Sequence, residues 1–216
     1  LGSPAYKVVQ AGAKVLGNNK DGIDFSLEDD YYGDTRFHIP FIAWYQVMNA
    51  SLALTTMEVL KDRIPVTLEQ LQAGIANTRW QGRMETILPG VIVDGAHNED
   101  GVRRFVETAE RFQKEYPLTL LFSAVNDKDY QDMIHTICSR IKFRKVVTTE
   151  VGGYREVPSA ELAEIFCKEG CKDVGNSDNI EEAFHMAHEA KGEDGMLFCV
   201  GSLYLVGEIK TLLLKK

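Results

Sequence analysis

No apolar run in the sequence is long enough to cross a membrane. The longest, such as LTLLF and LYLV, fall far short of the ~18 residues that a membrane-spanning helix needs. The first residues, LGSPAYKVVQ, lack a basic stretch followed by an apolar core, so no secretory signal is read there. Cysteine is scarce and unpaired in pattern. Cys138, Cys167, Cys171 and Cys199 form no C-x-x-C, and Cys167 and Cys171 are separated by three residues, which is not a zinc-site spacing. Cys138 and Cys199 sit in apolar stretches and read as small core residues. Reduced thiols in the cytoplasm are the expectation. Positive charge is in deficit, with 24 Lys and Arg against 32 Asp and Glu and a net charge of −8. Such a surface repels phosphate backbones, which excludes nucleic acid as the expected partner. No G-x-G-x-x-G follows any strand-like run, so a simple dehydrogenase is the weakest reading. No Gly-rich loop ending in Lys-Ser/Thr occurs anywhere, so no phosphate-cradling P-loop is present in the sequence.

What is present is a core-forming chain. Of 216 residues, 44% are hydrophobic and 26% charged, close to a globular average, and the length admits one large domain or two small ones. The chain changes character along its length. IDFSLED (23–29) and TRFHIPF (35–41), separated by a Tyr-Tyr-Gly-Asp turn, predict a β-hairpin. Residues 43–60 carry an apolar helical stripe. Pro65 introduces a second helix, with Thr67 as N-cap and Gln70 as its capping-box partner. A hairpin with two or three helices is little core for an independent domain. Residues 1–77 are therefore expected to be the end of a domain, and 78–216 a domain of their own.

From residue 84 the pattern becomes regular. VIVDG (91–95), LTLLFSAV (118–125), KVVTTE (145–150) and MLFCVG (196–201) read as buried strands, and KDVG (172–175) as a weaker one. Helical faces lie between them: Val102, Phe105, Val106, Ala109 and Phe112; Met133, Ile134, Ile137, Cys138 and Ile141; Ile180, Ala183, Phe184 and Ala187. This alternation predicts an α/β fold, a Rossmann-like, mostly parallel sheet with helices on both faces. Ligands of such sheets bind beyond the carboxyl ends of the strands.

Asp94 and His97 fall at such an end. Asp94 closes an apolar strand, and Gly95-Ala96-His97-Asn98 leads into a helix. Asp-Gly is also an ordinary turn, and Asn98 an ordinary helix cap followed by acidic Glu99 and Asp100. That plainer reading leaves His97 and Arg83 without a role.

The segment RWQGRMETILPGVIVDGAHNEDGVRRF resembles the signature of folylpolyglutamate synthases, including the bifunctional dihydrofolate synthases. That signature runs Trp-Pro-Gly-Arg, a strand, then Asp-Gly-Ala-His-Asn-Pro. Gln46-Val-Met-Asn49-Ala-Ser-Leu-Ala53 is similar to the family's His-Gln-x-x-Asn-x-x-x-Ala helix, and Gly201-Ser202-Leu-Tyr-Leu to its C-terminal Gly-Ser-Leu-Tyr-Leu. The likeness spans about residues 22–212. Gln81, Glu99, Ala43 and Tyr45 depart from the pattern, and none of them removes a charged residue that the family uses. The wider Mur ligase superfamily has Asp-Tyr-Ala-His instead.

The resemblance implies an ATP-dependent ligase. A folate or dihydropteroate carboxylate is phosphorylated, and L-glutamate attacks the acyl phosphate. It implies ATP and Mg²⁺, with the P-loop and the Mg²⁺ ligands upstream. The chain is then expected to be a fragment: the remnant of a central ATP-binding domain before a Mur ligase C-terminal domain, inactive alone, and a monomer. Carried over by position, Arg83, Asp94 and Asn49 would bind ATP, Asp94 through its ribose. Gln46 would support Asn49. His97 and Ser202 would meet glutamate, with His97 catalytic. Other readings are another Mur-type amino-acid ligase and a non-catalytic nucleotide-binding module. Lys128 is a further residue at a carboxyl end. Trp44, Tyr45 and Trp80 default to core packing. His185 and His188 default to a solvated face, and His38 and His135 have no evident partners. No metal site is expected in this chain.

Overall fold

The computed structural model describes residues 12–19, 22–126, 129–153 and 156–214. They form two compact units, Leu1–Arg79 and Trp80–Lys216.

The first unit is built on a three-stranded antiparallel sheet, β1 (Ala13–Asn19), β2 (Gly22–Leu27) and β3 (Arg36–Ile39), in that order. The expected hairpin is β2–β3, with Ile23 opposite Ile39 and Phe25 opposite Phe37. Those residues alternate inward, which is what fixes the register. β1 is the strand that the pattern did not reveal. Its sequence AKVLGNN is polar at one end, and its register shifts between Val15 and Gly17. A bulge of this kind breaks the alternation by which strands are recognised. Two helices follow, α1 (Tyr45–Leu60) and α2 (Leu68–Ala76). The capping box at Thr67 and Gln70 is formed from both sides. Val47, Ala50 and Leu54 of α1 close a core with Ile23, Phe25, Phe37 and Tyr32. The Tyr32 hydroxyl donates to the Leu54 carbonyl at 2.8 Å, and burial pushes its pKa up to about 12.

The second unit carries a six-stranded sheet. Its strands are β4 (Glu85–Leu88), β5 (Val91–Asp94), β6 (Leu118–Phe122), β7 (Phe143–Thr148), β8 (Val174–Asn176) and β9 (Met196–Val200). The order is β4-β5-β9-β6-β7-β8, with β4 antiparallel and the rest parallel. Between and after the strands run α3 (Glu99–Phe112), α4 (Tyr130–Arg140), α5 (Ser159–Lys168), α6 (Ile180–Lys191) and α7 (Leu203–Leu214). The mostly parallel α/β sheet expected from the sequence is present; β4 and α5 are added to it.

The two faces of the sheet are distinct. On one, Val91, Val93, Leu197 and Cys199 pack with Ala183, Phe184 and Ala187 of α6 and Leu205, Val206 and Ile209 of α7. On the other, Phe105 of α3 meets Phe198 edge-on at 5.5 Å, and Phe166 of α5 meets Phe122 at 5.3 Å. The chain therefore leaves the neighbouring strands β5 and β9 toward opposite faces, through α3 and α7. A sheet opens a crevice at such a point, at the carboxyl ends of its strands.

Candidate active site at the carboxyl ends of β5 and β9

Asp94 ends β5, paired in parallel register with Val200 of β9. Its side chain is 3% exposed. Oδ1 accepts the Ala96 N–H at 2.7 Å, and Oδ2 accepts the Met84 N–H at 2.9 Å. Burial raises its pKa to about 6, against the opposing pull of those two N–H groups and of Arg83 and His97. Asp94 is thus a brace between two loops. The resemblance implies a ribose acceptor; in this structure each carboxylate oxygen accepts one backbone N–H. A carboxylate caught between two orphan N–H donors serves the fold first.

The brace holds the segment just before β4. Met84 is buried with φ +46, a left-handed conformation that side chains rarely adopt. Gly82 also has positive φ. Its N–H donates to Glu85 Oε2 at 2.7 Å, and its carbonyl accepts the Gly95 N–H at 2.7 Å. Lys210 of α7 closes the set on Glu85 at 2.8 Å. Arg83 projects from this tied loop, its guanidinium 5.9 Å from the Trp80 ring centre. Among the described residues it forms no ion pair. Arg83 feels the Asp94 carboxylate only at a distance, so its guanidinium fork is left to take a phosphate or carboxylate bidentately.

His97 is half-buried. Its Nδ1 lies 2.8 Å from the Gly95 carbonyl. A carbonyl only accepts, so Nδ1 carries the proton and Nε2 is left for a ligand. Asn98 caps α3 by accepting the Gly101 N–H at 2.9 Å. Gly95 is required by contact: a Cβ there would sit 2.1 Å from Leu203 Cδ2. That contact brings the start of α7 against the Asp94–His97 loop. Ser202 is buried just before α7, where its Oγ accepts the Tyr204 N–H at 3.1 Å. It is reached through Gly201, at φ +110, where a Cβ would lie 2.0 Å from the Ser123 carbonyl.

Asp94, His97 and Ser202 thus follow the carboxyl ends of the neighbouring strands β5 and β9, and Arg83 is tied to the same end through its neighbours Met84 and Gly82. Asn49 lies in the first unit, on α1, where its Nδ2 donates to Gln46 Oε1 at 2.8 Å. Gln46 is buried with its Nε2 unpartnered among the described residues. Lys128 lies outside the described residues. Trp80 and Trp44 are 54% and 38% exposed rather than core. They stand on loops or at a helix start, where burial does not follow from ring size. His38 and His135 do find partners, Asp24 at 3.0 Å and Glu169 at 2.9 Å. Those pairs join residues distant in sequence. The His188 ring stacks on Phe184 at 5.8 Å. Ser123, missed in the sequence, is buried at the end of β6 with its Oγ unpartnered among the described residues. Its place follows from strand order, which no local pattern reveals.

Residues 82–203 match the family Mur ligase, glutamate ligase domain. The chain belongs to the Mur ligase family. Among the relatives it matches are folate enzymes. It is 30% identical over 194 residues to a dihydrofolate synthase/folylpolyglutamate synthase of Bacillus subtilis, which covers 86% of this chain and 43% of that protein. It is 28% identical over 175 residues to a probable bifunctional folylpolyglutamate synthase/dihydropteroate synthase of Haloferax volcanii, covering 80% of this chain and 20% of that protein. This Mur ligase domain also shares its fold with solved structures. Folylpolyglutamate synthase of Mycobacterium tuberculosis, solved with ADP and AMPPCP, superimposes with a TM-score of 0.74 at 24% identity, over 94% of this chain and 48% of that one. FolC of E. coli, solved with ADP, gives 0.76 at 18% identity, over 95% and 47%. The chain spans about half the length, or less, of these relatives.

Proposed function

We propose that this Mur ligase chain supplies the glutamate-ligase half of an ATP-dependent folate enzyme. It adds L-glutamate to the carboxylate of a folate or dihydropteroate acceptor. Residues 78–216 are the glutamate ligase domain, and 1–77 the end of an ATP-binding domain whose P-loop lies upstream. One observation carries the reading: a family match over 82–203, a span that contains Arg83, Asp94, His97 and Ser202.

In this reaction an acceptor carboxylate oxygen attacks the γ-phosphorus of ATP, and ADP leaves. The glutamate nitrogen then attacks the acyl carbon, and phosphate leaves with the C–O electron pair. The amine gives up its proton as the amide forms. Arg83 answers the need for positive charge on the phosphates. Asp94 acts through Met84 and Ala96, holding the Arg83 and His97 loops in place, so it is a positioning residue. His97, with Nδ1 committed to Gly95, presents Nε2 to the incoming glutamate and is the candidate catalytic residue. The Ser202 hydroxyl, at the start of α7, suits the glutamate carboxylate. Asn49, oriented by Gln46, suits the nucleotide. Among the described residues no group of three or more carboxylate, imidazole or thiol ligands could hold a metal ion. The Mg²⁺ ligands are proposed to lie in the upstream part. The cytoplasm is the proposed location, and a monomer the proposed state.

The test is glutamate-dependent ADP release by the native-length protein, with dihydropteroate and tetrahydrofolate as separate acceptors. Release with either, lost in Arg83→Ala, supports the ligase and names its acceptor. No release with either overturns the folate reading.

A further inference from the structure

Cys138 and Cys171, 33 residues apart in sequence, meet in the fold with their sulfurs 3.6 Å apart. Both are free and partly buried, whereas Cys199 is buried and Cys167 exposed. The meeting is built by two elements. Cys138 lies in the last turns of α4, and His135, one turn earlier, shares its face. Opposite them, α5 ends in a tight turn. Gly170 takes φ +93, its N–H donates to the Cys167 carbonyl at 3.0 Å, and the Cys171 N–H donates to the Phe166 carbonyl at 3.0 Å. This C-terminal cap fixes where Cys171 points. The same turn offers Glu169 to His135 at 2.9 Å. The helix and the turn are therefore joined at two adjacent rungs, one imidazole–carboxylate and one sulfur–sulfur.

We propose that Cys138 and Cys171 are a redox-active dithiol that closes to a disulfide and pins α4 to the turn after α5. Closing needs the sulfurs to approach to about 2.05 Å, a movement of ~1.5 Å for two side chains near the surface. No metal explains the pair, since among the described residues no third ligand completes a site. The hydrogen bond between the two sulfurs favours a thiolate on the accepting one. With Cys171 as acceptor, it is the attacking thiolate and Cys138 the resolving thiol.

The chemistry balances with a small disulfide oxidant such as glutathione disulfide. The Cys171 thiolate attacks one oxidant sulfur, its S–S bond breaks, and one glutathione thiolate leaves. Cys138, giving its proton to that thiolate, attacks Sγ of Cys171. The second glutathione leaves as a thiolate and takes a proton from water, making up for the one Cys171 had released. Two cysteine thiols are oxidised and one disulfide is reduced to two thiols.

The pair lies away from the crevice. α4 ends just before β7 starts, and Cys171 just precedes β8, so both sit toward the amino ends of those strands. Oxidation therefore changes stability without touching Arg83, His97 or Ser202.

The experiment treats the chain with an oxidising glutathione buffer, blocks the remaining thiols, and maps peptides without reduction. The expected product links the Cys138 and Cys171 peptides and leaves Cys167 and Cys199 alkylated. Its melting temperature rises relative to the reduced chain and returns on adding dithiothreitol. The rise is absent in Cys171→Ser and retained in Cys167→Ser. Phenylarsine oxide, which bridges two close thiols, should bind the reduced chain and not Cys171→Ser. Glutathione retained on Cys171 with Cys138 still free, linkage through Cys167, or two free thiols after treatment would each overturn the proposal. The peptide map uses the unaltered chain, so it stands even if a variant folds poorly.

Discussion

Asp94 Oδ2 accepts the N–H of Met84 at 2.9 Å, and Met84 is buried in a left-handed backbone conformation. A strained residue persists only where its surroundings hold it. Here a buried carboxylate does so, and the residue beside Met84 is the guanidinium Arg83.

Removing that brace should destabilise the fold. Asp94→Ala leaves the Met84 and Ala96 N–H groups buried without partners, at about 1–3 kcal/mol each. Urea unfolding should show a total loss of about 2–4 kcal/mol. A loss under about 0.5 kcal/mol would show that water or backbone movement replaces the carboxylate.

The brace should also be pH-sensitive. Burial raises the Asp94 pKa from its ordinary 3.8 to about 6. Between these values the folded chain holds a proton that the unfolded chain has released. Its contribution to stability therefore falls as pH rises through that window, by up to about 3 kcal/mol. Asp94→Asn does not titrate. The stability of the parent chain minus that of Asp94→Asn should fall between pH 4 and 7, and a difference that rises instead would reverse the assignment.

Arg83 should separate activity from folding. It forms no ion pair among the described residues, so Arg83→Ala should change stability by less than about 0.5 kcal/mol. In the native-length protein it should lower glutamate-dependent ADP release at least about tenfold, since a lost charge-assisted contact is worth ~1.5–3 kcal/mol. Arg83→Lys should recover part of the loss, because a point charge replaces the fork.

The glycines at the two strand ends should rank by what surrounds them. At Gly201 an added Cβ meets the Ser123 backbone at 2.0 Å, with φ already +110. At Gly95 it meets the Leu203 side chain, which is half-exposed. Gly95→Ala should cost about 1–3 kcal/mol as Leu203 moves. Gly201→Ala should cost more, because backbone cannot yield. Melting temperatures in the opposite order would show that the start of α7 is looser than drawn.

The sequence by itself determined the local features. Continuous apolar runs specified the buried parallel strands, and i, i+3, i+4 spacing specified the faces of α3, α4 and α6. The capping box at Thr67 and the Asn98 cap are local hydrogen-bond patterns, so residue order suffices for them. The Asp-Gly-Ala-His-Asn segment was likewise legible as a strand end leading into a helix cap. Tertiary structure decided what depends on strand order and distant pairing. Only the insertion of β9 beside β5 sets the start of α7 against Gly95 and sends α3 and α7 to opposite faces. Only the tertiary structure shows that Asp94 braces the loops of Met84 and Ala96. Only the meeting of α4 with the turn after α5 puts Cys171 against Cys138. These are contacts between segments tens of residues apart, and periodicity within one segment carries no information about them.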